Sequence, residues 1–436
     1  DIAGATALLH WDQETYMPVK GIIHRSRQLA TLSTIYHQKL TDKKIKKLLE
    51  EAAPKTIEDK ALVREFKRGY DKATKLPDRL ISEMVEATSV GLEAWKQARA
   101  EKKFSLFQKP LERILKLKLE ETELVGYKES PYDALLDDYE PDLTAKKVTA
   151  IFEPLRAEIV ASLPKILKNQ KTPAKKYLTG QHFPLDKAKK ATETILAKMG
   201  YDFEAGRQDL STHPFTTNFG IKDVRVTNRF DPQNFQSSIY SAVHEGGHGL
   251  YEMGISEKLM NTFLAGGTSL GIHESQSRMW ENLIGRSLPF WQYWTPYLQG
   301  IFHSQLVGAT PEKLFKEVNL VKPDFIRVEA DEVTYNLHII LRFEIERDLM
   351  EGKFLVSDLP EVWNIKFKNM FGLDVPNDSL GVLQDIHWSQ GSIGYFPTYT
   401  LGNLYSAQFF RQMPNMNNHI ASGNFEPILL WLRKNI

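Results

Sequence analysis

A chain of 436 residues, 42% of them hydrophobic, is long enough to bury a substantial core, and 56 Lys+Arg against 55 Asp+Glu leave no net field to attract nucleic acid or an anionic membrane. The absence of cysteine excludes disulfides, thiol catalysis and sulfur ligation of a metal. No apolar run reaches the roughly 18 residues of a membrane span, and no basic-then-apolar leader stands at Asp1, so the expectation is a cytoplasmic protein.

Residues 1–175 read as helix after helix. Ser26–Leu40, Ile57–Ala73, Asp78–Lys102, Phe107–Leu124 and Ala145–Leu167 carry apolar residues at three- and four-residue spacing among Lys and Glu. Pro77, Pro110, Pro131 and Pro141 interrupt any long heptad register, which favours antiparallel helices forming one wall of a cleft over a coiled coil. The lysine-rich run Lys165–Lys176 lacks the interleaved aromatics of a nucleic-acid surface and reads as a solvated connection. The organisation expected is an N-terminal helical region over 1–175 and a second region over 176–436 that carries the chemistry-bearing motifs, within one structural unit. A helix over Leu185–Met199 precedes Asp209–Phe230, where Thr, Val, Phe and Asn alternate, and Val224–Thr227 reads as a short strand. Its edge is either a pairing surface for an extended peptide or a covering hairpin.

The densest chemistry lies in His244-Glu245-Gly246-Gly247-His248. On a helix, histidines four apart share a face, so both imidazoles reach one cation while Glu245 stands beside them. A catalytic zinc requires such donors, one open position and a carboxylate able to take a proton from water; cobalt or another divalent ion satisfies the same donors. Gly246, Gly247 and Gly249 each cost about 1 kcal/mol in a helix interior. That penalty is tolerated where another backbone comes close or where ligation offsets it. The third ligand is read as Glu274, carried back by the break at Gly266-Gly267, with His273 as the rival. Adjacent helical residues point about 100° apart, so only one of this pair faces the ion. The plain alternative for Glu274 is a surface pair with Arg278 at i,i+4.

Beyond Ile301 the helices resume, and His338 reads as a buried packing histidine. Arg327 could pair with Asp331 at i,i+4, and Arg225 with Asp223 along a strand face; these are the ordinary roles of arginines. The block Gly381–Tyr399 holds Gln384, Asp385, His387, Trp388, Tyr395 and Tyr399, for which aromatic packing is the plain reading.

Six motifs in order bind these pieces together: His213-Pro214-Phe215, Asp223-Val224-Arg225-Val226-Thr227, the histidine pair with its glutamate, His273-Glu274-Ser275-Gln276, Ile326-Arg327-Val328-Glu329-Ala330-Asp331, and Gly381-Val382-Leu383-Gln384-Asp385-Ile386-His387-Trp388. With Trp11-Asp12-Gln13-Glu14-Thr15 and Pro131–Leu136 they resemble the M32 metallocarboxypeptidases over essentially the whole chain, which begins and ends inside the family pattern. The resemblance implies a mainly α protein of gluzincin, neurolysin-like architecture, with a deep substrate cleft and a small β-sheet near the zinc helix. It further implies a homodimer, zinc on His244, His248 and Glu274, and Glu245 as general base for removal of single C-terminal residues from peptides. Arg327 and Arg225 would anchor the substrate carboxylate, with Gln384 in the same groove, because a guanidinium fork suits a carboxylate better than an ammonium. Tyr395, with Tyr399 and His387 as alternates, would stabilise the oxyanion. An oligoendopeptidase or dipeptidyl carboxypeptidase on the same architecture is the competing enzyme class. A non-catalytic, metal-stabilised helical binding protein is the other, although it has no use for Glu245.

Overall fold

The five helices expected in the N-terminal region form, with ends displaced by a few residues, in a computed structural model that describes residues 1–436. They are α2 (Ile22–Leu40), α4 (Ile57–Lys75), α5 (Asp78–Glu101), α6 (Ser105–Val125) and α8 (Ala145–Asn169), joined by α1 (Ile2–Thr15), α3 (Lys43–Glu51) and α7 (Pro131–Leu136). Local chemistry sets several starts. Thr56 and Asp59 exchange side chain and backbone in a capping box at α4, and Ser130 and Asp133 do the same at α7, where Pro131 supplies a preset first turn. The chain continues through α9 (Leu185–Met199), β1 (Gly206–Leu210), β2 (Thr216–Gly220), β3 (Asp223–Asn228), α10 (Phe235–Met253) and α11 (Leu270–Arg278). A π-helical turn over Met279–Ile284 prolongs α11. The remaining helices are α12 (Leu288–Ile301), α13 (Pro311–Val318), α14 (Tyr335–Met350), α15 (Leu359–Phe371), α16 (Pro397–Gln412), α17 (Met416–Ala421) and α18 (Glu426–Asn435). None is long and apolar enough to cross a membrane.

Burial divides into two large clusters. One joins Trp95, Phe107, Tyr132 and Phe152 of α5–α8 to Phe343, Trp363 and Leu401 of α14–α16, so apolar packing crosses position 175. The other joins α9, α10, α12, α13, α17 and α18 through Ile195, Phe235, Trp291 and Leu432. His338 lies buried against Phe367 and Phe371, as its packing role requires. In α2, α3 and α4 no residue is fully buried, and Arg68, Lys72 and Phe66 of α4 meet the body at Asp137, Asp138 and Phe263.

The sheet has three strands in the order β1-β3-β2, β3 running parallel to β1 and antiparallel to β2. This corrects one expectation: Val224–Thr227 is the covered central strand, and the free edge near α10 belongs to β2. Thr227 N–H donates to Phe215 O, and the alternation of an antiparallel ladder then turns the backbone groups of Thr216 and Asn218 outward.

Helices α10 and α11 meet backbone to backbone. A Cβ at Gly247 would lie 2.7 Å from Ser277 Cα and 2.8 Å from Gln276 O, which no side-chain rearrangement relieves. On the other flank of α11, a Cβ at Gly402 of α16 would lie 2.8 Å from Glu274 Cβ. The glycine penalty in the histidine helix is thus the condition for close approach. Gly247→Ala should force α10 and α11 apart and lower stability by about 1–3 kcal/mol, read as a lower unfolding midpoint of the metal-free protein; an unchanged midpoint would show that the contact is slack.

Candidate metal centre and cleft

Asn234 caps α10 by accepting Ser237 N–H, and the helix runs unbroken through His244 and His248. Ser269 caps α11, while the buried carboxylate of Glu140 accepts Gly271 N–H at the same end. These two starts set the phase of both helices. His244, His248 and Glu274 consequently bring one ligand atom each within 4.8 Å of one another. Glu274 Oε2 lies 3.8 Å from His244 Nε2 and 3.4 Å from His248 Nε2. Its other oxygen accepts Arg278 Nε–H at 2.7 Å, so the i,i+4 pair read as an alternative exists alongside the ligand role, and it is buried rather than solvated. His273 points elsewhere: its Nδ1 is 2.6 Å from His248 Nδ1.

Glu245 is buried beside this trio. Thr216, on β2, donates its hydroxyl to Glu245 Oε2 at 2.7 Å, and burial raises the carboxyl pKa, opposed by His244 and by the Thr216 hydrogen bond. Behind His244, Glu281 Oε2 lies 2.8 Å from Nδ1, which leaves Nε2 directed at Glu274. Burial would raise Glu281, but Arg278 and His244 hold it at about 2. Burial likewise opposes ionisation of Glu274, and Arg278 with both histidines overrides it, holding this carboxyl well below the usual range.

His244 and Glu245 open onto a cleft of about 510 Å³ whose wall also includes Arg278, Arg229, Arg327 and Tyr335. Arg327 is buried in that wall. Its Nε and Nη2 donate to Asp385 Oδ1 at 3.1 and 2.9 Å and its Nη1 to Tyr335 Oη at 3.1 Å. Asp331, the partner expected for it, instead accepts Val333 N–H and the Thr334 backbone and hydroxyl. Arg342 fills the other oxygen of Asp385 at 2.7 Å.

Two expected groove residues lie elsewhere. Arg225 forms a bidentate pair with Asp223 at 2.8 Å and stacks on Trp11 and Phe219. Thr216 pairs with Val226, so strand alternation puts Arg225 on the opposite face of the sheet from Glu245. Gln384 accepts Arg327 N–H and donates to Phe325 O, so it braces Arg327 from behind. Tyr395 stacks edge-on against Tyr139 and Tyr399, its pKa raised by burial and by the charge of Glu274. His387 packs against Tyr395, and burial lowers it to about 4, so its imidazole is neutral.

A family described as "Carboxypeptidase Taq (M32) metallopeptidase" matches residues 1–436. The chain belongs to the M32 metallocarboxypeptidases. It is similar to Thermostable carboxypeptidase 1 of Pyrococcus furiosus, 42% identical over 445 residues that span all of this chain and 89% of that protein. Thermostable carboxypeptidase 1 of Thermus thermophilus is 40% identical over 454 residues with the same coverage. The solved structure "Pyrococcus furiosus Carboxypeptidase Apo-Mg" superposes with a TM-score of 0.97 at 41% identity, covering all of this chain and 89% of that one.

Membership in the M32 metallocarboxypeptidases makes the chain a peptide hydrolase that works with a divalent metal, and the donor set fits one. Burial alone would lower His244, yet Glu274, Glu281 and Glu245 raise it to about 9. The metal-free imidazole therefore keeps a proton where three carboxylates demand positive charge. His248, lowered to about 3 chiefly by burial, is already neutral. The residues that the sequence did not single out are Thr216 and Glu281, a hydroxyl and a carboxylate that each orient a neighbour.

The charge on His244 fixes a pH dependence. A folded pKa raised above 6.5 contributes stability to the metal-free protein that is present below that value and lost as pH rises through about 9. A cation must displace this proton, so M32 metal binding should release about one proton at pH 7.5 and tighten up to about pH 9. Calorimetric titrations in buffers of different ionisation enthalpy measure it, and a buffer-independent enthalpy would refute it.

Proposed function

We propose that the chain removes single C-terminal amino acids from peptides, with zinc, or cobalt or another divalent ion in its stead, held by His244, His248 and Glu274. One observation carries this reading: the three donor atoms lie within 4.8 Å of one another while Glu245 is held beside them by Thr216. When bound, the ion supplies Lewis acidity to the scissile carbonyl and to the attacking water. Glu245, whose burial raises its affinity for a proton, takes that proton from the water and returns it to the leaving amine. Tyr395 is the favoured donor to the oxyanion, and Tyr399 and the neutral His387 pack against it as alternates.

Arg327 is the anchor for the terminal carboxylate. Asp385, Tyr335 and Gln384 hold it in the wall of the same cleft as His244 and Glu245, and two of its five N–H donors remain for substrate. Arg229, exposed in that wall and without a side-chain partner, adds a second cation. The free edge of β2 aligns the peptide backbone by strand addition. A fixed carboxylate anchor favours exopeptidase action over an oligoendopeptidase, and the number of residues released per event separates this reading from a dipeptidyl carboxypeptidase. The buried, oriented Glu245 argues against a purely structural metal. A homodimer belongs to the same proposal on the strength of the family resemblance, with a cytoplasmic location carried over from the sequence reading, and sedimentation reads the oligomeric state.

Glu245→Gln should retain a full equivalent of zinc and lose roughly 10²–10⁴-fold in kcat; metal retention with turnover intact would remove Glu245 as the base. Products from N-blocked peptides, identified by mass spectrometry, should shorten by one residue per event. Amidation of the C-terminus should stop cleavage, and continued internal cleavage of amidated peptides would establish the endopeptidase instead.

A further inference from the structure

His273 and Glu252 form an arrangement that the hydrolytic reading leaves without a use. Glu252 lies one helical turn after His248 on α10, and His273, from α11, inserts its ring beside both. His273 Nδ1 is 2.6 Å from His248 Nδ1, and His273 Nε2 is 2.7 Å from Glu252 Oε1. All three side chains are largely buried, at 16%, 18% and 9% exposure for His248, His273 and Glu252. Tyr251 closes the outer side of the His273 ring edge-on at 5.1 Å. The carboxylate of Glu252 makes no other side-chain hydrogen bond.

Only one placement of protons satisfies these contacts once His248 Nε2 serves as a ligand atom. Its lone pair must then be free on Nε2, so the proton sits on Nδ1 and is donated to His273 Nδ1. That nitrogen must accept, so His273 carries its own proton on Nε2 and donates it to Glu252. Two neutral imidazoles in series, ending on a carboxylate, thus have their tautomers fixed by one terminal charge. The opposite ligand has a shorter version, with Glu281 directly on His244 Nδ1. Carboxylates behind ligating histidines raise ligand basicity and fix ring orientation.

We propose that His273 and Glu252 are positioning residues for the metal centre, acting in series on His248 to set its tautomer, ring orientation and donor strength. This rests on the ligand set proposed above. His273 therefore supports the ion from behind, while the next residue, Glu274, ligates it in front.

Zinc affinity, measured on the metal-stripped full chain by competition with a chromophoric chelator, tests this, together with the visible spectrum of the cobalt-loaded protein. Glu252→Gln keeps an acceptor for His273 but removes the charge, and should weaken zinc binding about tenfold without moving the unfolding midpoint of the metal-free protein. His273→Leu leaves His248 Nδ1–H without a partner; it should weaken binding about 10–100-fold and alter the cobalt spectrum. His273→Gln, whose amide oxygen can accept that proton, should recover part of the loss. His244→Ala should abolish binding in the same assay. If His244→Ala abolishes binding while Glu252→Gln and His273→Leu keep wild-type affinity and spectrum, the positioning role is overturned and the ligand set stands. If His244→Ala itself binds as wild type, the ligand set falls and this inference with it. Affinity losses matched by falling midpoints of the metal-free variants would also overturn it, in favour of a merely structural role. Should His273→Leu fail to fold, Glu252→Gln decides alone.

Discussion

Everything chemical in this molecule depends on two helices touching without side chains between them. At Gly247 the backbone of α10 rests against Gln276 and Ser277 of α11, and from the far side α16 presses on Glu274 through Gly402. Helices separated by ordinary side chains lie 8–10 Å apart, and a short carboxylate would not then reach imidazoles on its neighbour. Removing the Cβ atoms shortens that distance, at about 1 kcal/mol of helix propensity per glycine. One large apolar cluster anchors α16 through Leu401 and the other anchors α10 through Phe235, Ile239 and Val243, so the geometry does not rely on the metal alone.

Such proximity concentrates charge. Glu245, Glu274 and Glu281 share one buried region with His244, Arg278 and Arg286. Isolated carboxylates would be expelled or neutralised there, and each survives because a cation or donor meets it. Arg278 reaches Glu274 and Glu281 together and covers the face of Tyr335 at 4.3 Å. It therefore connects the ligand helix to the Tyr335–Arg327–Asp385 cluster on the cleft wall. Arg327, gripped by Asp385 and Gln384 before any peptide arrives, is ordered during folding rather than during binding.

The fold class and the ligand trio were legible from sequence because helical periodicity reports faces directly. Five N-terminal helices followed from apolar spacing, His244 and His248 from the rule that residues four apart align, and Glu274 from the chain reversal at Gly266-Gly267. Short elements were missed: α3, nine residues in which Lys and Glu surround Ile45, Leu48 and Leu49, and the brief α7. The central position of β3 was hidden because Thr216–Gly220 carries little apolar signal, and the partner that decides which face Arg225 takes lies on that strand. Glu281 escaped for a different reason. It stands seven residues after Glu274 on the same face, where it reads as one more partner for Arg278, and only the packing of α10 brings His244 Nδ1 to it. Asp331 misled because its carboxylate serves the local turn at Thr334, and Asp385, a partner from a distant segment, takes the arginine. The angular argument held that only one of His273 and Glu274 turns toward the two imidazoles, and Glu274 does, but that argument treated the other side chain as idle.

The exposed border of β2 has its own consequence. A peptide laid along Thr216 and Asn218 would be gripped by its amides and carbonyls, which are common to every sequence, so the border favours breadth of substrate over discrimination among side chains. Proline is the exception written into that grip: lacking an N–H, it breaks the ladder at any position required to donate, and trimming would stall wherever one enters the register.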